Sequence, residues 1–545
     1  MTLRYARLCA GAVLAAAVSA TWAAGPATDT ALPDTTVVRF DIARFSVEGN
    51  SLLTQAEIDA AVTPFAGRSR DFGDVQQALD ALEAAYHQRG YQLVKVQLPE
   101  QELSGGVVRL TVLQTRIGRV TVSGNQHVAS ANIRRSLPLL VEGSSPNLDA
   151  VSASLRMAND NPSKKVQLKL QSGAEIDGVD SVDATLDVAD QSPWHVAFNA
   201  DNSGTGQTGK THVGVMLQHA NLWGRDHVAS LQYTTSAEEP GKVAVWGAGY
   251  HVPLYALGDS LDLFASYSNI DTGSVTAGLF DLAVSGKGSV VGLRYNQLLA
   301  RRAQSDSEGA GARDARVIYG LDIKAYKNSV LYAGQNFGND ITVRPLSVAY
   351  VVSAPYDGAE LNGSLTLVHN LPGGSRGGSA DFERTRSGAK ASYTLVRAAG
   401  AYARALAQDW QLRLLANGQF SADALVPGEQ VGAGGASTVR GLDERALSTD
   451  SGVLLNAELY SPQLCGAGAR WQCRVLGFVD AAHGSRRHAL PDELRSASIS
   501  SAGLGLRLSY GASMNLQLDY GHVLHTGALT VADKNRLHLR VTLAY

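Results

Sequence analysis

From Trp194 to Tyr545 the chain alternates between apolar and polar residues with a period of two, and no other feature narrows its possible folds as far. In the last such segment Leu537, Leu539, Val541, Leu543 and Tyr545 share one face, and Arg536, His538, Arg540 and Thr542 share the other. Leu504, Leu506, Leu508 and Tyr510 repeat the pattern. So do Met514, Leu516, Leu518 and Tyr520, set against Asn515, Gln517 and Asp519. Successive side chains point to opposite faces of a strand, so each segment has one apolar and one polar side. Strands of about ten residues, apolar outside and polar inside, are what a membrane-spanning closed barrel requires. A soluble sandwich alternates in the same way, but the aromatic segment ends and the export signal described below favour the membrane. Sixteen segments begin near Trp194, Lys210, His227, Lys242, Asp259, Gly288, Ala315, Asp340, Glu360, Gly388, Trp410, Asp450, Cys473, Ser500, Ser513 and Asn535. An even count returns both ends of the barrel to the periplasm and puts the odd-to-even loops outside the cell. Arg301 to Asp314 is long for a periplasmic turn in that scheme. No helix is expected between residues 193 and 545.

Ahead of this region the chain reads differently. Residues 1–24 form an expected secretory signal: Arg4 and Arg7, then the apolar run Leu8–Val18, then Ala20, Ala23 and Ala24. The run is too short to span a membrane, and no later segment has about 18 consecutive apolar residues. Residues 25–39 read as a linker. Then one pattern occurs twice, 75 residues apart: Arg44-Phe45-Ser46-Val47-Glu48-Gly49-Asn50 and Arg119-Val120-Thr121-Val122-Ser123-Gly124-Asn125. Ile58 and Ile133 keep the same offset. Each copy starts as a strand and stops at Gly-Asn, a turn signal. Thr54 and Glu57 form a capping box for a first helix. Val75, Leu79, Leu82 and Tyr86 fall on one face of a second, over 74–89. The order β-α-α-β-β is expected over 40–115 and again over 116–192.

With a formal net charge of −3, the chain has no broad basic surface, and nucleic acid is not an expected partner. Cys9 leaves with the signal. Cys465 and Cys473 remain, and in an exported chain a disulfide is favoured over a metal pair. Closing so short a loop is worth about 2.5 kcal/mol in the chain-entropy view.

One loop stands apart from the alternation: Gly432-Ala433-Gly434-Gly435-Ala436-Ser437-Thr438-Val439-Arg440-Gly441-Leu442. Six of its eleven residues are glycine or alanine. A loop folded into a confined polar space needs small residues for close approach and an anchor to fix it. The plain alternative is an ordinary hairpin loop carrying one arginine. Phe478 and Asp480, two apart on a strand, share a face, and a charge on the lipid side is costly, so that face is the lumen. The expectation is a bidentate pair between Arg440 and Asp480 that fixes the loop to the wall. If only partly shielded from water, such a pair contributes about 1–3 kcal/mol. Exchanging the two charges should then recover part of its effect.

Other motif matches fail on context. Gly204-Thr205-Gly206-Gln207-Thr208-Gly209 matches the dinucleotide fingerprint, but a strand is expected next where a helix is needed. Gly373-Gly374-Ser375-Arg376-Gly377 matches a nucleophile-elbow pattern without the strand-to-helix turn. Thirteen histidines are scattered without ligand spacing. No catalytic residue, metal site or cofactor is expected.

The two repeats resemble POTRA domains, the periplasmic modules that precede certain outer-membrane barrels. Asp201-Asn202-Ser203-Gly204, Thr208-Gly209 and Asn221-Leu222-Trp223-Gly224-Arg225-Asp226 resemble the first hairpin of the two-partner secretion (TpsB type, haemolysin secretion/activation) family. Val439-Arg440-Gly441-Leu442 resembles its V-R-G-[YF] loop motif, with leucine for the aromatic. Phe478-Val479-Asp480-Ala481-Ala482 resembles its F-x-D-x-G strand motif, with Ala482 for glycine; the next glycine is Gly484. Residues 25–38 are too short and too rich in Thr and Pro for the N-terminal plug helix of some members. The resemblance implies α+β POTRA repeats followed by an all-β barrel of sixteen strands in the outer membrane. It also implies a partner: one large exoprotein, a haemolysin, adhesin or contact-dependent toxin, bound through its N-terminal secretion domain. Outer-membrane lipid and the barrel-assembly machinery are the other implied partners. The alternatives are a barrel-assembly insertase of the same superfamily, or a hydrolase displayed on a barrel.

Overall fold

The computed structural model describes residues 38–545 apart from 104, 177, 207, 278–281, 300–313, 328–330, 333–334, 337–338, 467–469, 490–492 and 532. The expected signal, nearly all of the linker and all but Asp314 of the long Arg301–Asp314 turn therefore lie outside the described residues.

The first repeat runs β1 (Phe40–Ile42), β2 (Arg44–Glu48), α1 (Gln55–Val62), β3 (Gly67–Arg70), α2 (Phe72–Gln88), β4 (Val94–Gln97) and β5 (Val107–Gln114). β2 lies parallel to β5, and β4 lies on the other side of β5. Thr54 caps α1: the backbone N–H of Glu57 donates to its Oγ1 at 3.4 Å, and its own N–H donates to Glu57 Oε2 at 2.9 Å. α2 turns Val75, Ala78, Leu82 and Tyr86 inward. The ribbon of β1 with β3 departs from the expected β-α-α-β-β order. Its strands have three and four residues, and Gly-Arg-Ser-Arg in β3 has no apolar alternation to read.

The second repeat does follow that order: β6 (Arg116–Ser123), α3 (Ser130–Arg135), α4 (Leu148–Asp160), β7 (Lys164–Ser172) and β8 (Ser181–Asp190). β8 is central, parallel to β6 and antiparallel to β7. Ile117, Val120, Ile133, Leu137, Val166 and Leu186 make its core. The Gly-Asn turn is tight: a Cβ on Gly124 would stand 2.4 Å from the Val188 carbonyl oxygen. Past the turn, the backbone N–H groups of Gln126, His127 and Val128 all donate to the Asp190 carboxylate, at 2.9, 2.8 and 2.7 Å. Burial alone would raise that carboxyl's pKa, but the three amides hold it below its ordinary value.

Strands β9 (Trp194–Asp201), β10 (His212–Leu222), β11 (His227–Ser236), β12 (Ala244–Leu254), β13 (Asp259–Ala277), β14 (Leu282–Leu298) and β15 (Asp314–Lys327) begin the barrel. The tiny ribbon of β16 (Leu331–Tyr332) and β17 (Gln335–Asn336) stands outside it. β18 (Ile341–Val343) and β19 (Pro345–Tyr356) both pair with β15 and form one interrupted strand. Then come β20 (Ala359–Asn370), β21 (Thr394–Ala405), β22 (Gln411–Ser421), the inner ribbon β23 (Val431–Ala433) with β24 (Leu447–Thr449), and β25 (Ser451–Tyr460). β26 (Trp471–Ser485), β27 (Ser496–Tyr510), β28 (Met514–His525) and β29 (Asn535–Ala544) follow. β29 pairs with β9, from Arg540↔Asp201 to Ala544↔Ala197, and closes sixteen antiparallel strands into a barrel. β14 and β15 pair directly, through Leu298↔Arg316, so they are neighbours in the sheet.

The outer face carries Trp246, Val291, Leu365, Val479 and Leu504, all exposed, as a lipid-facing wall requires. Contrary to expectation, among the described residues the region holds one α-helix, α5 (Ser379–Thr385), in the loop between β20 and β21. It has seven residues and buries only Phe382, too little for a helical period to register.

The second repeat is riveted to the barrel. Lys164 Nζ meets Asp226 Oδ2 at 2.5 Å, with both side chains buried. Tyr255 Oη donates to the same oxygen at 2.8 Å. Asn132 accepts from Lys164 at 3.2 Å and donates to Asn221 at 3.0 Å. Asn161 donates to the Ala220 carbonyl at 2.7 Å. Burial pushes the Lys164 ammonium pKa down, against the pull of Asp226.

Candidate functional site

The loop between β22 and β25 turns into the lumen. On β26 the buried residues Phe478, Asp480, Ala482 and Gly484 alternate with partly or well exposed Gly477, Val479, Ala481 and His483, so the first set faces inward. On the neighbouring β25, Asn456 stands opposite Asp480, and Glu458 opposite Phe478.

Arg440 enters this patch and is only 4% exposed. Its Nε and Nη2 donate to the two oxygens of Asp480, both at 2.7 Å, and its backbone N–H donates to Asp480 Oδ2 at 3.1 Å. Nη1 donates to Glu458 Oε1 at 2.7 Å and lies 3.6 Å from Asp519 Oδ1. The guanidinium carbon sits 3.5 Å from the centre of the Phe478 ring. Asn456 donates to Asp480 Oδ1 at 2.8 Å and to the Thr438 carbonyl. Arg507 donates to Asp519 at 2.9 Å. One cation thus holds a bidentate partner, a second carboxylate in direct contact and a third nearby. This arrangement fixes the loop to the wall.

The backbone closes as tightly as the charges do. Gly441 has φ +97°, a region side chains disfavour, and its N–H donates to His538 Nε2 at 3.0 Å. A Cβ on Gly521 of β28 would lie 2.6 Å from the Gly441 nitrogen. Val439, Leu442 and Ala482 meet in one apolar cluster with Leu454, Ile499 and Val523. Leucine at 442 and alanine at 482 thus pack the loop on the wall by apolar contact. Cys465 and Cys473 are joined as a disulfide beside the turn between β25 and β26.

The sequence reading missed Asn456, Glu458, Asp519, Arg507, His538 and Gly521. Alternation places Asp519 on a polar face, but the loop's reach to it depends on strand register. The partly shielded pair expected for Arg440 and Asp480 is instead buried. The remaining motif matches are loops. Gly204 bonds back to the Lys210 carbonyl and a strand follows. Ser375 is exposed, and among the described residues no histidine hydrogen-bonds to it.

Two family descriptions match. A POTRA domain of the ShlB type covers residues 40–115. The haemolysin secretion/activation protein ShlB/FhaC/HecB covers residues 181–330 and 341–508, more than half of the chain. The chain belongs to this family. The chain is similar to the outer membrane transporter CdiB of Dickeya dadantii, 25% identical over 455 residues, 81% of this chain and 74% of that protein. The outer membrane transporter CdiB of Escherichia coli O6:K15:H31 is 28% identical over 185 residues, 34% of this chain. That alignment spans only 31% of the E. coli protein's length. Among solved structures, CdiB from Escherichia coli superposes with a TM-score of 0.73 at 21% identity, covering 96% of this chain and 93% of that one. CdiB from Acinetobacter baumannii gives 0.68 at 16%, covering 95% and 94%. These likenesses establish the fold. The family places the barrel in the outer membrane, with its POTRA domains in the periplasm.

Proposed function

We propose that this protein exports one large exoprotein across the outer membrane in a two-partner secretion system. The exoprotein, a haemolysin, adhesin or contact-dependent toxin, is recognised through its N-terminal secretion domain. The carrying observation is the union, in one chain of this family, of small three-stranded sheets with a barrel whose loop is tied inside the lumen. The outer strands of those sheets, β2 and β4 in the first repeat and β6 and β7 in the second, offer backbone groups for strand addition by an extended segment. Free energy for transport comes from the exoprotein folding outside the cell. The Arg440–Asp480 pair holds the loop in register for passage, and the protein acts as a transporter without a catalytic step.

Deleting the protein tests this reading. One exoprotein should vanish from the medium while the other outer-membrane proteins keep their abundance. A broad loss of barrels would support the insertase, and hydrolysis of simple esters or peptides by the purified protein would support a displayed enzyme.

A further inference from the structure

The outer wall of the barrel has a notch. On β26 the outward positions run Val475, Gly477, Val479, and at Gly477 there is no side chain. Residues directly opposite one another across the strands continue as one row: Leu412, Leu459, Gly477, Leu504, Tyr520 and Leu537, from β22 to β29. In that row Leu459 and Leu504 rise on either side of Gly477 and are 42% and 70% exposed. A Cβ added at Gly477 would meet no atom within 4 Å. The next row toward the periplasm carries Val475, Leu506 and Leu518. These side chains bound an apolar groove of about 520 Å³ that reaches Trp410 and Ser461.

The direction of the groove identifies its occupant. β9 starts at the end of the barrel where the second repeat joins, so odd-numbered strands of the ring start there and even-numbered ones end there. Leu412 is the second residue of β22, the eleventh strand, and Leu537 is the third of β29, the sixteenth. The row therefore climbs from the periplasmic rim toward the other leaflet. Trp410, whose ring suits the headgroup level, stands at its lower end. Among the described residues that line the groove none is charged, and a peptide lying there would leave its backbone groups without partners. A notch one residue wide also excludes a helix, which is about 10–12 Å across. A flexible hydrocarbon chain meets every one of these conditions.

We propose that this groove seats one acyl chain of a phospholipid from the periplasmic leaflet, with the headgroup beside Trp410. The site needs only the barrel's place in the outer membrane and is independent of what the barrel transports. Native mass spectrometry of the purified full chain reads it, with 1-palmitoyl-2-oleoyl-phosphatidylethanolamine or lipid A added in separate runs. Heat-dependent migration in detergent gels reports folding. The wild type should keep one phosphatidylethanolamine under activation that strips the rest. Gly477→Leu fills the notch, and the retained fraction should fall about tenfold, the weight of about two methylene groups kept from the groove. Leu504→Ala lowers one wall without adding bulk and should release the lipid to a similar degree. Gly400→Leu is the control. A Cβ there also meets no atom within 4 Å, and Gly400 stands opposite Gly363, two residues from the outward Leu365. Its neighbours Gly363 and Ala416 raise no wall, so this variant should keep the wild-type lipid. Undiminished retention in folded Gly477→Leu, or in Leu504→Ala if Gly477→Leu does not fold, overturns the proposal. So does a wild type that keeps no phospholipid, one that keeps lipid A instead, or a dimer that Gly477→Leu abolishes.

Discussion

At the scale of single residues, Arg440 decides how the loop is held. Its burial changes what mutation should do. A buried ion pair that loses one partner leaves an uncompensated charge, and the loss is about 3–5 kcal/mol rather than that of a surface pair. Arg440→Ala and Asp480→Ala should each assemble a barrel yet secrete poorly, and the double variant should secrete no worse than either single one. Secretion yield normalised to barrel abundance measures the cycle; simply additive defects would mean that the two residues act separately. The exchange Arg440→Asp with Asp480→Arg should recover nothing, because the new carboxylate would face Glu458 and approach Asp519. Arg440 and Asp480 were readable because one is a lone cation in a loop of small residues and the other a charge on an alternating strand. Glu458 and Asp519 were not readable as neighbours. Their nearness depends on register across β25, β26, β27 and β28, which no local pattern encodes.

At the scale of elements, alternation located the barrel strands closely: segments expected near Trp194, His227, Asp259 and Asn535 begin there. What escaped was short. The β1–β3 ribbon and α5 bury too few side chains to leave a period. The repeats invite a direct measurement. A soluble fragment of residues 40–190 should bind the exoprotein's N-terminal segment with micromolar affinity, chiefly through backbone hydrogen bonds at a sheet edge. Hydrogen exchange should show new protection along one outer strand, β2, β4, β6 or β7. If titration calorimetry detects no binding at high micromolar concentration, the repeats are spacers.

At the scale of the whole molecule, the joint between the second repeat and the barrel is built on a buried ion pair. Lys164 and Asp226 lie 62 residues apart, and only the folded chain brings them together. Asp226→Ala strands a buried ammonium beside Asn132 and removes the acceptor of Tyr255. The second repeat should then swing relative to the barrel, which spin-label distances between the two would report as a broadened distribution. Replacing both ions with apolar residues, Lys164→Met with Asp226→Leu, should narrow that distribution again, since a dry apolar contact can substitute for a buried pair. If Asp226→Ala leaves the distribution unchanged, the joint is held elsewhere.

The loop that Arg440 ties to β25 and β26, with Gly441 against β28, also has a mechanical meaning. A ring of sixteen strands is too wide for side chains to fill, and hydrogen bonds round its rim resist stretching far better than they resist flattening into an oval. A loop pinned to several neighbouring strands supplies stiffness along that arc. While Arg440 holds Glu458 and Asp480, and Gly441 lies on Gly521, these strands cannot fan apart, and that stretch of wall keeps its curvature.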